Sequence, residues 1–128
     1  MLCDMGDEAA LNAALNQHVV RTGNEKVFFY ARFFFHAVSS QTEQIVLKTI
    51  ASFARPGDIF AAEFRTLEDE KCKKHFSGKH RRRFIKTSDF IAALTKLGFA
   101  VEIEQSGNGL APFRDEDPRV ARLVAKKI

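Results

Sequence analysis

The stretch that decides the fold is residues 27–37, which read Val-Phe-Phe-Tyr-Ala-Arg-Phe-Phe-Phe-His-Ala. Its first part, 26–31, is short, aromatic and β-branched, and it is apolar on both faces. That pattern is typical of a central strand in a parallel sheet that helices cover on both sides. The apolar run then admits Arg32 and His36 before a helix begins, and no glycine-rich nucleotide loop precedes it.

A strand, helix, strand order continues from this run. Ser40 with Glu43 three residues later forms a capping box that predicts a helix start. Residues 55–57, Arg-Pro-Gly, end that helix, and 58–64 predicts a second buried strand. The helix is the right length for a right-handed crossover between parallel strands, and its apolar stripe is Ile45, Val46, Thr49, Ile50 and Phe53.

The flanking segments also carry regular patterns. Asp7 and Glu8 open a predicted helix that runs to about residue 18. Thr87 or Ser88 caps another, which Gly98 ends in a left-handed conformation. Alternation over 99–104 predicts a strand near a sheet edge. The segment 117–126 is ambiguous between helix and strand, and its periodicity slightly favours the helix.

Composition limits the class of protein. A chain of 128 residues with 45% hydrophobic residues can bury a core of single-domain size. Cys3 and Cys72 have neither disulfide-framework nor zinc-ligand spacing, which favours a reducing, cytoplasmic setting and gives no metal site. The longest apolar stretch is too short to span a bilayer, and the formal charge of +4 comes mostly from a basic excess over 71–86.

In this order, the segments FFYARFFFHAV, RPG, DIFAAEFR, KLGF, AVEIEQ and RVARLV resemble the C-terminal half of a class I S-adenosylmethionine-dependent methyltransferase. The resemblance implies an α/β fold: a Rossmann-like partial sheet with covering helices, mostly parallel, with an antiparallel C-terminal β-hairpin. The resemblance also predicts that 120–126 is a strand. One partial domain then divides into the end of a third strand plus a helix (1–24), a strand-helix-strand unit (25–64), a basic substrate-side loop (65–86) and a helix with the hairpin (87–128).

The resemblance also implies a function. It implies methyl transfer from S-adenosyl-L-methionine to a small or anionic acceptor, for example one that carries a phosphate or a glycan. The family's glycine-rich first turn and its acidic second strand have no counterpart here, so we expect this chain to be a fragment of a full enzyme. The alternative is a non-catalytic α/β fragment or interaction module that associates with itself through an exposed sheet edge.

The resemblance assigns the cofactor to the ends of two strands. Asp4 lies where the family often binds the adenine amino group, although it also fits a solvated N-terminus. Met5, Tyr30 and Ala31 are the other expected cofactor residues. Residues 33–35 are expected to lie in the hydrophobic core and to form part of the wall of the cofactor pocket.

Charged residues at the strand ends are the candidate catalytic and acceptor-binding groups. Arg32 is placed to bind a carboxylate or phosphate, or it pairs with Glu63 or Asp4. His36 is a candidate general base, or it only hydrogen-bonds a carbonyl. Glu63 and Arg65 point to the same side and either face the acceptor or form structural ion pairs.

The basic run at 71–83 is the last candidate element. Arg81, Arg82 and Arg83 are expected to bind an anionic substrate, with a solvated surface as the alternative. Nucleic acid is not favoured, because only Phe76 and Phe84 interleave with the charges.

Overall fold

The computed structural model describes residues 3–19, 21, 23–66 and 83–128. Its helices are α1 (Glu8–His18), α2 (Ser40–Phe53) and α3 (Thr87–Lys96), with a short 3₁₀ turn at Phe35–Ala37. Its strands are β1 (Phe28–Arg32), β2 (Ile59–Arg65), β3 (Phe99–Gly107) and β4 (Val120–Lys127). The predicted strand-helix-strand unit is therefore present as β1, α2 and β2.

The described strands form one mixed sheet in the order β1-β2-β4-β3. β1 and β2 are parallel, with Phe29 beside Phe60, and β4 runs antiparallel to both β2 and β3. The predicted α/β fold with an antiparallel C-terminal hairpin is confirmed. The helical interpretation of 117–126 is wrong, because this segment forms β4 inside the sheet. Neighbouring residues of β4 point to opposite faces, and Val120 and Ala121 are both buried.

All three helices pack on one face of the sheet, which we call the helix-covered face. Phe29, Phe60 and Phe64 point into this core together with residues of α1, α2 and α3, and Phe64 meets the ring of Phe90 at 4.6 Å between centroids. Buried aromatic area of this kind dominates the stability of a small core.

The opposite face, which we call the open face, has no helix in the described part of the chain. There Phe28 is 62% exposed, Tyr30 61% and Ile103 57%. β1 is also an edge strand among the described strands. The prediction of a central strand covered on both sides is therefore wrong for this structure, since an apolar pattern does not say whether a covering element is present.

Two helix starts differ from the predicted caps. The N-cap of α2 is Ser39, whose Oγ accepts from Thr42 N–H at 3.1 Å, so Ser40 is the first helical residue and the Ser40–Glu43 capping box is wrong. α3 follows Lys86 without a side-chain cap. Thr87 and Ser88 therefore lie inside the first turn of α3.

The remaining sequence patterns agree with the structure. Asp7 caps α1 through Ala10 N–H at 3.1 Å. Gly98 has a φ of +89° and ends α3 as predicted. β3 is an edge strand among the described strands, but a register shift between Val101 and Ile103 interrupts its predicted alternation.

Asp58 joins the α1–β1 and α2–β2 connections at the amino end of the parallel strands. The carboxylate is fully buried and accepts from Val27 N–H at 3.0 Å, from Arg55 N–H at 2.8 Å and from both terminal nitrogens of Arg21. Burial alone would raise the pKa of Asp58, but these hydrogen bonds and the Arg21 charge outweigh it and lower the pKa to about 2.

Candidate functional site at the carboxyl end of β1

The backbone turns sharply where β1 ends. Phe33 N–H donates to Glu63 O at 2.7 Å and so extends the β1–β2 ladder by one bond. Phe33 itself has a φ of +52°, which is uncommon for a bulky residue and typical of strained functional segments. This turn sends the chain into the 3₁₀ turn and separates Arg32 from His36.

One pocket lies on the helix-covered side of this turn. It has a volume of about 350 Å³ and is mainly apolar. Three of the four predicted cofactor residues, Met5, Tyr30 and Ala31, line it together. The other lining residues are Leu11, Leu15, Phe29, Arg32, Phe34, Val46, Ile50 and Phe60.

Asp4, the fourth predicted cofactor residue, does not line this pocket. Its Oδ1 accepts from Gly6 N–H at 2.9 Å, and its carbonyl accepts from Asp7 N–H at 3.1 Å. Asp4 is exposed. In this structure it forms the turn that leads into α1.

A second pocket, of about 340 Å³, lies on the open face. Tyr30, Arg32, Glu63 and Arg122 line it, and its apolar lining residues are Ala61, Ala62, Leu123 and Val124. Tyr30 and Arg32 thus border both pockets. The two pockets lie on either side of the β1 edge.

Glu63 is the buried anion of this open-face pocket. Its Oε2 accepts from Arg122 Nε at 3.0 Å, and its Oε1 lies 3.6 Å from Arg32 Nε. The Arg32–Glu63 pair is the structural alternative that the sequence left open. The Arg32 side chain nevertheless stays 59% exposed, so its guanidinium remains accessible to an anion.

Arg122 is a site residue that the sequence interpretation missed. The available signal was the alternation of β4, which puts Arg122 on the same face as Val120 and Val124. Its register partner in β2 is Glu63. Pairing between strands distant in sequence was needed to see this contact.

His36 is buried, with 6% of its surface exposed. Its Nδ1 accepts from Arg65 N–H at 3.0 Å, so the neutral imidazole carries its hydrogen on Nε2. A proton taken up at Nδ1 would break this hydrogen bond. The geometry therefore makes Nε2–H a donor and gives His36 a positioning contact with the main chain.

Two of the predicted substrate arginines make structural contacts. The Arg65 guanidinium is buried 3.5 Å from Glu116 Oε1, and it lines neither pocket. Arg83 donates to Val38 O at 2.6 Å, to Phe35 O at 2.8 Å and to Glu43 Oε1 at 2.9 Å. Arg81 and Arg82 lie outside the described residues.

Within residues 3–19, 21, 23–66 and 83–128, no three His, Cys, Asp or Glu side chains come together as a metal site. No helix in these ranges has both the length and the hydropathy needed to cross a membrane.

The sequence matches no family model and no curated protein, but solved structures share its architecture. A methyltransferase dependent on S-adenosylmethionine from Anabaena variabilis is 12% identical and matches 100% of this chain and 58% of its own, with a TM-score of 0.71. TehB from Haemophilus influenzae is 13% identical, with 100% and 40% covered and a TM-score of 0.64. The magnesium protoporphyrin IX methyltransferase of Synechocystis, solved with bound SAH, is 15% identical, with 100% and 50% covered and a TM-score of 0.57.

The chain has the fold of S-adenosylmethionine-dependent methyltransferases. It spans between 40% and 58% of the length of these three structures. At such low identity the likeness concerns the fold alone.

Proposed function

We propose that this chain takes part in S-adenosylmethionine-dependent methyl transfer to a small or anionic acceptor. The observation that carries the proposal is the match of the whole chain to a methyltransferase at a TM-score of 0.71. The clustering of Met5, Tyr30 and Ala31 around one pocket supports it. As part of the same proposal, the chain acts in the cytoplasm as a portion of a larger enzyme.

The apolar pocket is the proposed cofactor site. Its Phe34 and Met5 walls suit a purine ring, and Asp4 would have to turn away from Gly6 N–H to receive an adenine amino group. The sulfonium methyl is already activated, so catalysis depends on holding the acceptor in line with it.

The open-face pocket is the proposed acceptor site. Arg32 is exposed there and can bind a phosphate or carboxylate with two parallel hydrogen bonds, while Glu63 orients it. Arg81 and Arg82 add positive charge for the acceptor. We assign Arg65 and Arg83 to holding the strand ends, and His36 to positioning through Nε2–H.

Calorimetric titration with S-adenosylhomocysteine tests the cofactor part. Saturable binding that Ala31→Phe removes, because the larger ring fills the pocket, supports the proposal. Lys126→Ala, at an exposed position near the other end of the sheet, is the matched control and should bind as the parent does. If S-adenosylhomocysteine does not bind even at high concentration, this chain does not hold the cofactor by itself.

A separate binding measurement tests the proposed acceptor site. With phosphorylated sugars as probes, Arg32→Ala and the Arg81→Ala, Arg82→Ala double variant should weaken binding. The difference from the parent should shrink at high salt, because salt screens exposed charges. Unchanged affinity in both variants would remove the anionic acceptor from the proposal.

A second candidate function is a non-catalytic interaction module. The observation that favours it is the open face, where Phe28, Tyr30 and Ile103 are exposed beside a β1 edge that pairs with no described strand. Exposed flat edges of this kind pair with other chains. Sedimentation over a range of concentrations measures whether the chain associates with itself.

A further inference from the structure

The amino edge of the sheet, at the other end from the candidate site, carries one cation at each described strand. Lys26 precedes β1, Arg55 precedes β2, Lys127 ends β4 and Lys96 precedes β3. Because the strands lie in the order β1-β2-β4-β3, these four residues follow one another along the edge, and we call them the amino-edge row. Neighbouring strands are about 4.8 Å apart, so the row is about 15 Å long.

The charges of this row are not neutralised within the described chain. Three of its members are exposed, and Lys127 is half-buried. None of the ion pairs among the described residues involves the row. The connections that lead to the edge contain two carboxylates, Glu25 and Asp58, and Arg21 already binds Asp58. The edge therefore keeps a net positive charge.

Two members of the row are held in place by backbone carbonyls. Lys26 Nζ donates to Pro56 O at 3.1 Å, and Lys127 Nζ donates to Leu97 O at 3.0 Å. Each bond uses one of the three ammonium hydrogens, so both groups can still donate to a partner. Side chains that are already ordered lose less conformational entropy when a partner binds.

A cleft lies at the β1 and β2 end of the row. Its volume is about 190 Å³, and its lining includes Asn24, Lys26 and Arg55. Among the hydrogen bonds of the described chain, none uses the Arg55 side chain. A guanidinium can bind a phosphate with two parallel hydrogen bonds, and the neighbouring ammonium and amide groups are further donors. The cleft therefore suits one phosphate group.

The row as a whole suits a linear polyanion of high charge density. Double-stranded nucleic acid carries one negative charge per about 1.7 Å of its axis, whereas an acidic polypeptide in extended form carries at most one per about 3.3 Å. Single strands are bound through exposed aromatic rings, but the ring that contacts Lys127 is that of Phe99, which is buried beneath it. Charge complementarity thus favours a duplex backbone.

We propose that the amino-edge row docks this chain on the phosphate backbone of a double-stranded nucleic acid, without reading its base sequence. Phosphate contacts fix the position of a protein on a duplex and carry no sequence information. The row lies away from both proposed pockets, and its binding is measured without cofactor or acceptor, so this proposal and the proposed function can fail separately.

The probe is a fluorescein-labelled DNA duplex of about 20 base pairs, and fluorescence anisotropy measures its affinity for the full chain. With four phosphates contacted, affinity should fall about a hundredfold between about 50 and 200 mM NaCl, because the logarithmic slope is about 0.9 per phosphate. Two unrelated base sequences should bind equally. An RNA duplex of the same sequence shows which of the two sources of this backbone binds more tightly.

Two double variants with the same net charge test the location. Arg55→Ala with Lys96→Ala removes two cations of the row whose side chains make no hydrogen bond or ion pair in the described chain. Its affinity should fall only about tenfold over the same salt range, since two phosphate contacts remain. Lys48→Ala with Lys86→Ala, at exposed positions outside the row, is the matched control and should keep the hundredfold fall.

NMR of the unmodified chain gives a second measurement that needs no variant. Adding the duplex should shift the amide signals of Gly57 and Gly98, which adjoin the row. The signals of Gly107 and Gly109, at the carboxyl edge, should stay in place. The reverse pattern would contradict docking at the amino edge.

Three further results would overturn the proposal. The first is no binding of the duplex at about 50 mM NaCl. The second is a smaller salt dependence in the Arg81→Ala, Arg82→Ala variant but not in the Arg55→Ala, Lys96→Ala variant, which would place the duplex on the basic run at 71–83. The third is tighter binding of an oligoglutamate peptide than of the duplex, since the partner would then be an acidic polypeptide.

Discussion

Nδ1 of His36 accepts a hydrogen bond from the backbone N–H of Arg65 at 3.0 Å, inside the core. The bond ties the 3₁₀ turn after β1 to the last residue of β2, so it fixes the spacing of the two strand ends that border the site. It also decides the tautomer of the imidazole, with the hydrogen on Nε2.

Two amide variants separate the roles of the two ring nitrogens. His36→Asn places an acceptor near the Nδ1 position, whereas His36→Gln places its amide near Nε2. We expect His36→Gln to lower the free energy of unfolding by about 1–3 kcal/mol, because Arg65 N–H is left buried without its acceptor, and His36→Asn to lower it less. Urea denaturation measures both. Equal losses would show that the Nδ1 contact contributes nothing.

Asp58 predicts how stability changes at acid pH. Its pKa falls from 3.8 to about 2 on folding, so its contribution is complete above about pH 4 and is lost as pH falls toward 2. The shift corresponds to about 2 kcal/mol. Unfolding free energies of Asp58→Asn should therefore depend less on pH over this range than those of the parent. Glu102→Gln, at an exposed position, should follow the parent curve.

Ser39, rather than Ser40, should determine the stability of the α2 N-terminus. Ser39→Ala removes the acceptor for Thr42 N–H and should cost about 1 kcal/mol. Ser40→Ala should be close to neutral, because Ser40 is already helical. Thermal unfolding of the two single variants, which differ by one position, is a direct comparison. A larger effect at Ser40 would restore the capping box inferred from the sequence.

The Glu63–Arg122 contact should behave as a coupled pair. Arg122→Leu removes the nearer of the two cations from the buried Glu63 carboxylate and should cost about 3 kcal/mol. The double variant Glu63→Leu, Arg122→Leu should recover much of that loss, because no buried charge remains. A double-mutant cycle on unfolding free energies gives the coupling, and strict additivity would contradict it.

Arg83 should affect stability more than ligand affinity. Arg83→Ala leaves the carbonyls of Phe35 and Val38 and the carboxylate of Glu43 without this donor, and should lower the free energy of unfolding by about 2 kcal/mol. Arg83→Lys cannot reproduce the forked contacts and should recover only part of the loss. Affinity for phosphorylated sugars should stay unchanged in folded Arg83→Lys, in contrast to the Arg81→Ala, Arg82→Ala variant. A salt-dependent loss of affinity in Arg83→Lys would return Arg83 to the acceptor site.

Local patterns in the sequence predicted the elements from α1 to β3 well. Apolar spacing and the Arg55-Pro56-Gly57 break located β1, α2 and β2, since these signals act over a few neighbouring residues. The strand at 120–126 required the family resemblance, because the periodicity of this segment slightly favours a helix. Only its position between β2 and β3 explains why Val120 and Ala121, on opposite faces, are both buried.

The site was predicted less completely. The sequence brought Arg32 and Glu63 together because both lie near the carboxyl ends of the two parallel strands. It could not find Arg122, whose place opposite Glu63 depends on strand pairing across the chain, or the Arg65–Glu116 contact, which depends on the β3–β4 connection. The exposure of Phe28 and Tyr30 was also missed, since apolar character does not reveal which face a neighbouring element covers.

The position of β4 has a consequence for synthesis. β4 follows β3 in the chain yet lies between β2 and β3, so β3 lacks its neighbour among the described strands until residues 120–127 have left the ribosome. Before then β1, β2 and the helices can assemble only a partial core. Translation therefore leaves the edge of β2 exposed to chaperones until β4 emerges, and pausing before codon 120 should lengthen that interval.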